Sequence, residues 1–288
     1  MSKTDLVLVT GASGKTGRAC ITRLLEHGAS VRALVRRVEA ADELRRQGVR
    51  DAIVGDMFDR SIMEAAVDGV QKVLHICPPM HPQEETLGRD MIAAARSAGV
   101  DHFVLWSVLH PHIGVPHHQR KQRAEAALID SGLTFTILQP GRYMQHLETI
   151  WPQVCAAGLH AFPFSAKTRL SIVHLDDLAE AAANVLTNPG HANAIYELAG
   201  PQALSQEDCA RIISEILKRH VSAEAASLDA FSAKARAAGL PDWRIETLCV
   251  MNRHYAAHGF EGNSNVLRWL LNKEPKVFSD YVRDMAAR

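Results

Sequence analysis

Short apolar runs alternate with amphipathic stretches through the first half of the chain. LVLVT (6–10) is apolar without alternation, the pattern of a strand buried on both faces. GRACITRLLEHG follows it, with Ile21, Leu24 and Leu25 on one face of a predicted helix. The same couple recurs as VRALV (31–35) before ADELRRQG, AIVGD (52–56) before RSIMEAAVDG, and KVLHIC (72–77) before EETLGRDMIAAARSAG. HFVLWSV (102–108) and LTFTIL (133–138) complete six expected strands, with a helix opening at HHQRK (117–121) between them. Strand–helix alternation at this spacing predicts an α/β fold, a doubly wound parallel sheet with helices on both faces.

After Pro140 the rhythm loosens. LSIVH (170–174) and AIYELAG (194–200) read as strands around the helix DDLAEAAANVL, and helices then dominate. SQEDCARIISEILKRH opens with Ser205 and Asp208 in capping-box spacing, and GLPDWRIETLCVMNRHYAAHG and VLRWLLNKEPKVFSDYVRDM continue the helical pattern. The expected division is a nucleotide-binding core over 1–140 and a smaller, mainly helical C-terminal lobe over 141–288. The strands near 170–174 and 194–199 interleave that lobe with the core.

Composition narrows the classes. Lys+Arg and Asp+Glu are both 32, so with neutral histidine the chain has no net field to gather nucleic acid or an anionic membrane. The N-terminus enters a strand without a signal-peptide core, and no run of about eighteen apolar residues suggests a membrane span. Five cysteines, odd in number and without a CxxC pair, fit reduced thiols, so a cytoplasmic protein is expected.

The first chemistry sits between the first strand and first helix, where VTGASGKTGRA carries Gly11, Gly14 and Gly17 as GxxGxxG. A tight turn, a close approach of backbone to a pyrophosphate and close helix–strand packing each call for one of these glycines. The helix N-terminus then offers N–H groups to the phosphates. Ser13, Lys15 and Thr16 belong to the same expected cradle, which lacks the spacing of a Walker loop. The second strand ends in Arg36 and Arg37, with the first acid only at Glu39. A guanidinium suits a 2′-phosphate where a carboxylate would suit free ribose hydroxyls, so NADP is favoured and NAD is the alternative. Asp56, after the third strand, is a candidate for the adenine edge or for a helix cap.

With these motifs in place, the chain resembles the NmrA-like branch of the atypical short-chain dehydrogenase/reductases. SGLTFTILQPGRYMQHL is similar to that family's SGL-x-YTIL-R-PG-x-F-M-E-N segment. LSIVHLDDLAEAAANVL, YELAGPQALSQEDCARIISEIL, GLPDW and VFSDYVRDMA also fit in order, so the resemblance covers essentially the whole chain. It implies a Rossmann core with a smaller C-terminal lobe and a substrate cleft between them. It also implies one of two functions: NADPH-dependent reduction of quinones, dyes or phenolic ethers, or dinucleotide-dependent signalling through a protein partner.

The wider short-chain dehydrogenases place Tyr-x-x-x-Lys after the fifth strand; here the spacing is His117-x-x-x-Lys121. The resemblance makes Lys121 the nicotinamide-side residue and His117 a candidate proton donor, since imidazole titrates near neutrality. HHQRK read alone also permits a solvated helix start. His110, His112, His117 and His118 lack metal-site spacing, so no metal is expected. Ser107 and Cys77 end the fifth and fourth strands on the expected cofactor side, and His75 is read as core. Arg142, Tyr143, Met144 and His146 should face substrate, with His146 where relatives often carry Asn. Trp151, Phe162, Phe164, Trp243 and Tyr255 supply either an aromatic pocket or ordinary core. The leading expectation is an NADPH-dependent oxidoreductase acting on a quinone-like or other conjugated small molecule. No nucleic-acid or membrane partner is expected, and a homodimer is left open. The alternative is a non-catalytic NAD(P)(H)-binding redox sensor with a protein partner.

Overall fold

The computed structural model describes residues 5–288. Through residue 140 the elements run β1 (Leu6–Val9), α1 (Lys15–Glu26), β2 (Ser30–Val35), α2 (Val38–Arg46), β3 (Asp51–Val54), α3 (Arg60–Val67), β4 (Lys72–His75), α4 (Glu84–Ser97), β5 (His102–Trp106), α5 (Pro116–Ile129) and β6 (Phe135–Pro140). There follow β7 (Arg142–Tyr143), a 3-10 turn at Met144–Thr149, α6 (Trp151–Ala157), β8 (Leu159–Phe162), β9 (Leu170–Val173), α7 (Leu175–Thr187), β10 (Ala194–Leu198), β11 (Gln202–Leu204), α8 (Gln206–Leu217), β12 (Ser222–Ala225), α9 (Leu228–Ala237), α10 (Asp242–His258), α11 (Asn265–Leu271) and α12 (Phe278–Ala286).

Two compact units result. The first comprises the described residues through His112, with His117–Pro140 and Leu178–Tyr196; the second comprises Ile113–Pro116, Gly141–Asp177 and Glu197–Arg288. The seven-stranded sheet has the order β10-β6-β5-β4-β1-β2-β3. Strands β1 to β6 pair in parallel, with Val7 opposite both Val31 and Lys72. The order reverses at β1, which is flanked by β2 and β4, so the carboxyl end of β1 is the switch point where such sheets bind ligands. Helices supply the residues that cover the sheet: Met63, Ala66 and Val67 of α3, Leu87 and Met91 of α4 and Leu128 of α5 join Leu8, Val73, Phe103 and Ile137 in one apolar cluster. This is the doubly wound Rossmann-type sheet that the continuous apolar runs imply.

The second unit holds two small sheets, β11-β9-β7 and β12-β8, besides its helices. Leu170–Val173 therefore pairs with β7 and β11, while Ala194–Leu198 joins the edge of the seven-stranded sheet beside β6. The capping box at α8 forms: Ser205 Oγ accepts from Asp208 N at 3.0 Å, and Ser205 N donates to Asp208 Oδ2 at 3.0 Å. VLRWLLNKEPKVFSDYVRDM is broken into α11 and α12, because Asn272 takes a left-handed φ of 50° and Pro275 follows before the second helix starts. All five cysteines are free thiols. Among the described residues no helix is long and apolar enough to cross a membrane.

Candidate active site

The glycine loop turns sharply after β1. Gly11 has φ of 59°, and a Cβ there would stand 2.7 Å from the Ile76 carbonyl oxygen. A Cβ on Gly17 would overlap the Gly11 carbonyl and come within 2.7 Å of Ala12 Cα, so α1 packs here only because residue 17 has no side chain. Gly14 is the N-cap of α1 and contributes no side-chain hydrogen bond to the helix start. The helix start therefore has no side-chain cap, as a loop that receives a pyrophosphate requires. Arg18, one turn into α1, donates from Nε to the Ser13 carbonyl at 3.0 Å and clamps Glu43 with both terminal nitrogens at 2.6 and 2.8 Å. This clamp ties the loop to α2. It was not foreseen from the sequence, although an arginine four residues after Gly14 reaches back over a helix start.

Thr10 stitches β1 to β4. Its Oγ1 accepts from Ile76 N at 2.9 Å and lies 3.0 Å from His75 Nδ1, while His75 Nε2 contacts Cys77 Sγ at 3.1 Å. Burial lowers His75 to about 3, with Lys121 a smaller cause, and pushes the Cys77 thiol up to about 12. A thiol held in that form is a poor nucleophile.

Arg36 and Arg37 are exposed at the end of β2, and neither guanidinium has a hydrogen bond or ion pair among the described residues. Two such cations in the strand beside β1 fit a 2′-phosphate. Ser13, Lys15 and Asp56 are exposed and Thr16 is half-buried. Asp56 accepts from Phe58 N at 3.1 Å, but the cap of α3 is Asp59, which accepts from Ser61 N at 2.9 Å. The cap role offered for Asp56 therefore belongs to its neighbour.

Helix α5 carries the HHQRK stretch, and its start is not solvated: His117 and His118 are buried. His118 Nδ1 lies 3.0 Å from the His110 carbonyl oxygen. His117 Nδ1 has no hydrogen-bond partner among the described residues. Burial, then His118, Lys121 and Arg120, lower His117 to about 2. It is therefore a neutral imidazole at physiological pH, not the acid of ordinary strength that its residue type suggests.

Lys121, on the same face one turn later, donates to the Trp106 carbonyl at 3.0 Å and stands 2.8 Å from Glu84 Oε1. Glu84 is 1% exposed, and the contact is a charge pair whose angles fall outside those of a hydrogen bond. Glu125, another turn along α5, accepts from Ser107 Oγ and from Gln139 Nε2, the latter at 3.1 and 3.0 Å to its two oxygens. Burial raises its pKa against these hydrogen bonds. Ser107 thus has its proton committed to Glu125. His117, Lys121 and Glu125 recur every four residues, the signal that would have added Glu125; Glu84 carried no comparable signal.

In the second unit, Arg142, Tyr143, Met144 and His146 line a small cavity that opens to solvent. His146 Nδ1 lies 2.8 Å from the Tyr143 carbonyl. Phe162 and Phe164 form another wall, their rings parallel at 5.9 Å. Gln206 fixes that wall: its Oε1 accepts from Phe162 N at 2.7 Å, and its Nε2 donates to the Phe164 carbonyl at 2.7 Å. Tyr255 backs Phe164 edge-on, while Trp151 and Trp243 are not among the lining residues. Both aromatic expectations hold in part, since Phe162 and Phe164 line the cavity and Tyr255 is buried core.

The sequence profile of the NmrA-like family matches residues 3–281. The chain belongs to the NmrA-like family. It is 30% identical over 283 residues to the NAD(P)H azoreductase of Xenophilus azovorans, covering 98% of this chain and 96% of that one. The structure of an NADPH-dependent quinone oxidoreductase of Escherichia coli complexed with NADPH superposes with a TM-score of 0.87 at 26% identity, over 97% of this chain and 99% of that chain. The triphenylmethane reductase of Citrobacter sp. gives a TM-score of 0.87 at 26% identity, over 98% and 99%. The full-length matches place the glycine loop, α5 and the second-unit cavity of this NmrA-like chain inside the matched region.

Proposed function

We propose that this chain is an NADPH-dependent reductase that transfers hydride to a quinone or dye-like conjugated acceptor. The observation that carries the reading is the pair of exposed, unpaired arginines at the end of β2, in the strand beside the glycine loop. That arrangement asks for a dinucleotide with a 2′-phosphate, and the azoreductase and quinone oxidoreductase relatives support the same cofactor use.

Gly11, Ser13, Gly14, Lys15, Thr16 and Gly17 form the pyrophosphate cradle, with Arg18 holding its backbone in shape. Arg36 and Arg37 take the 2′-phosphate, and Asp56 the adenine side. Ser107, Cys77 and Lys121 lie at or beyond the carboxyl ends of β5 and β4, where the switch-point rule puts the nicotinamide half. When bound, NADPH supplies a hydride from the nicotinamide C4. Quinone reduction then needs one proton for each hydride. Neutral His117 can hold a substrate or ribose oxygen by an N–H bond, but with its pKa near 2 the proton comes from water. Lys121 supplies the fixed positive charge toward which negative charge on the acceptor would develop. Tyr143, Met144 and His146 contact the acceptor.

Titration of both cofactors followed by NADPH oxidation with quinones and azo dyes tests the reading. Tight NADPH binding without turnover on any acceptor would sink it. That outcome would favour a redox sensor, a reading drawn from the histidine at 117 where a catalytic tyrosine would stand.

A further inference from the structure

The second-unit cavity contains a cation with no counterion. Arg142 lies with its guanidinium carbon 4.6 Å from the centre of the Phe162 ring and 5.6 Å from that of Phe164. These ring contacts engage no N–H donor in a hydrogen bond, and no acceptor among the described residues is bonded to the guanidinium. No Asp or Glu lines the cavity. On the helix that lines the cavity, Asp208 is committed to the Ser205 cap and faces Arg169 at 3.9 Å. Burial lowers the Arg142 pKa from its usual value, so the site holds a half-buried charge that an anion would stabilise.

A second group points the same way. His160 lines the cavity, is 3% exposed, and its Nδ1 has no hydrogen-bond partner among the described residues. Gln206 also reaches the His160 ring and raises its pKa against burial, but its amide is chiefly engaged by the backbone of Phe162 and Phe164 and His160 Nδ1 stays without a hydrogen-bond partner among the described residues. A buried polar nitrogen left open beside an uncompensated cation marks a place where a ligand supplies the missing acceptor. The stacked phenyl faces and the apolar lining from Leu147 and Phe278 suit a planar ring.

We propose that this cavity receives the acidic end of the acceptor, an aromatic carboxylate or sulfonate whose oxygens engage the Arg142 fork and His160 Nδ1 while its ring packs along Phe162 and Phe164. This deepens the reductase reading and rests on it for the ligand being a substrate. The neutral histidine donates from Nδ1 in the appropriate tautomer, so no added proton is required. Selectivity follows from charge: a neutral ring leaves Arg142 desolvated and unpaired, whereas an anionic ring pairs it.

The test compares anthraquinone-2-sulfonate with neutral 2-(hydroxymethyl)anthraquinone on the full-length protein, by calorimetric titration and by NADPH oxidation. Wild type should bind the sulfonate at least about tenfold more tightly than the neutral quinone, the scale of one charge-assisted pair. In Arg142→Met that ratio should fall to within about threefold, and Arg142→Lys should retain part of it. Equal affinities in wild type overturn the proposal without recourse to any variant, as does a preference that survives Arg142→Met. If neither quinone is reduced but the Arg142-dependent preference is present, the anion site stands and the reductase reading falls. If both are reduced with no preference, the reductase reading stands and the anion site falls.

Discussion

Lys121 Nζ lies 2.8 Å from Glu84 Oε1, pairing α5 with the first residue of α4 beneath a surface that leaves the two side chains 12% and 1% exposed. A buried pair of this kind is held by mutual need, because either charge alone is strongly disfavoured there. Lys121→Met should therefore destabilise the protein by about 3–5 kcal/mol, as should Glu84→Gln. Glu84→Gln combined with Lys121→Met should cost clearly less than the sum of the singles. Urea unfolding of the four proteins measures this. Additive losses would mean that the pair is not coupled. Under the reductase reading Lys121→Met also lowers turnover, and Glu84→Gln lowers it by releasing the lysine.

Cofactor choice rests on Arg36 and Arg37. Each charge-assisted hydrogen bond to a phosphate is worth about 1.5–3 kcal/mol. Replacing both arginines by alanine should weaken NADPH by about 10- to 100-fold or more while changing NADH far less. Both side chains are exposed and make no hydrogen bond or ion pair among the described residues, so the double variant should melt like the wild type. Fluorescence titration with each dinucleotide reads the ratio, and an unchanged NADPH-to-NADH preference would remove both residues from the cofactor site.

How far these features were visible in the chain follows from what each depends on. Strands β1 to β6 show in the sequence because burial on both faces demands continuous apolar runs. Strands β7, β8, β11 and β12 do not, since RY, LHAF, QAL and SAEA are short and largely half-exposed, with neither a run nor an alternation. Helix α9 was likewise missed, its one buried residue being Ala235. The glycine loop was legible because its geometry excludes other residue types. The buried carboxylates Glu84 and Glu125 were not, because acids read as surface residues until tertiary contacts enclose them. The two histidines opening α5 show the same limit, as nothing local separates a buried polar face from a solvated one.

Gly17 gives the sharpest steric test. A methyl group there would overlap the Gly11 carbonyl and crowd Ala12 Cα, both backbone atoms that cannot rotate away. Gly17→Ala should cost about 1–3 kcal/mol or more and abolish measurable dinucleotide binding. Gly14→Ala meets only the Gly11 carbonyl at 3.2 Å, so it should fold nearly as well as wild type while weakening the cofactor. Thermal melts with and without NADPH separate the two effects. A Gly17→Ala protein with unchanged melting would show that the loop relaxes.

Acid sensitivity should be pronounced, and its sign follows from the buried histidines. Burial is the leading cause that lowers His75 to about 3, His102 to about 4, His117 to about 2 and His160 to about 4. An unfolded histidine titrates near about 6.5. Between that value and each folded value the unfolded chain binds the extra proton, so stability is present above pH 6.5 and is lost as pH falls. Each fully buried histidine contributes about 1.4 kcal/mol per pH unit, with a smaller share from half-buried His102. Glu125 and Asp177 act oppositely, because burial raises their pKa values and the folded state keeps their protons first. Their effect begins only above the ordinary carboxylate range, so it offsets part of the lower end of the histidine window. Three to four histidines together lose roughly 4–5 kcal/mol per pH unit, comparable with the net stability of a typical domain. Urea unfolding between about pH 7.5 and 4.5 should therefore show stability falling steeply below pH 6.5, and His117→Gln should flatten that slope by about one proton. A stability that stays level from pH 7 to about 5 would contradict the neutral, buried state assigned to these four rings.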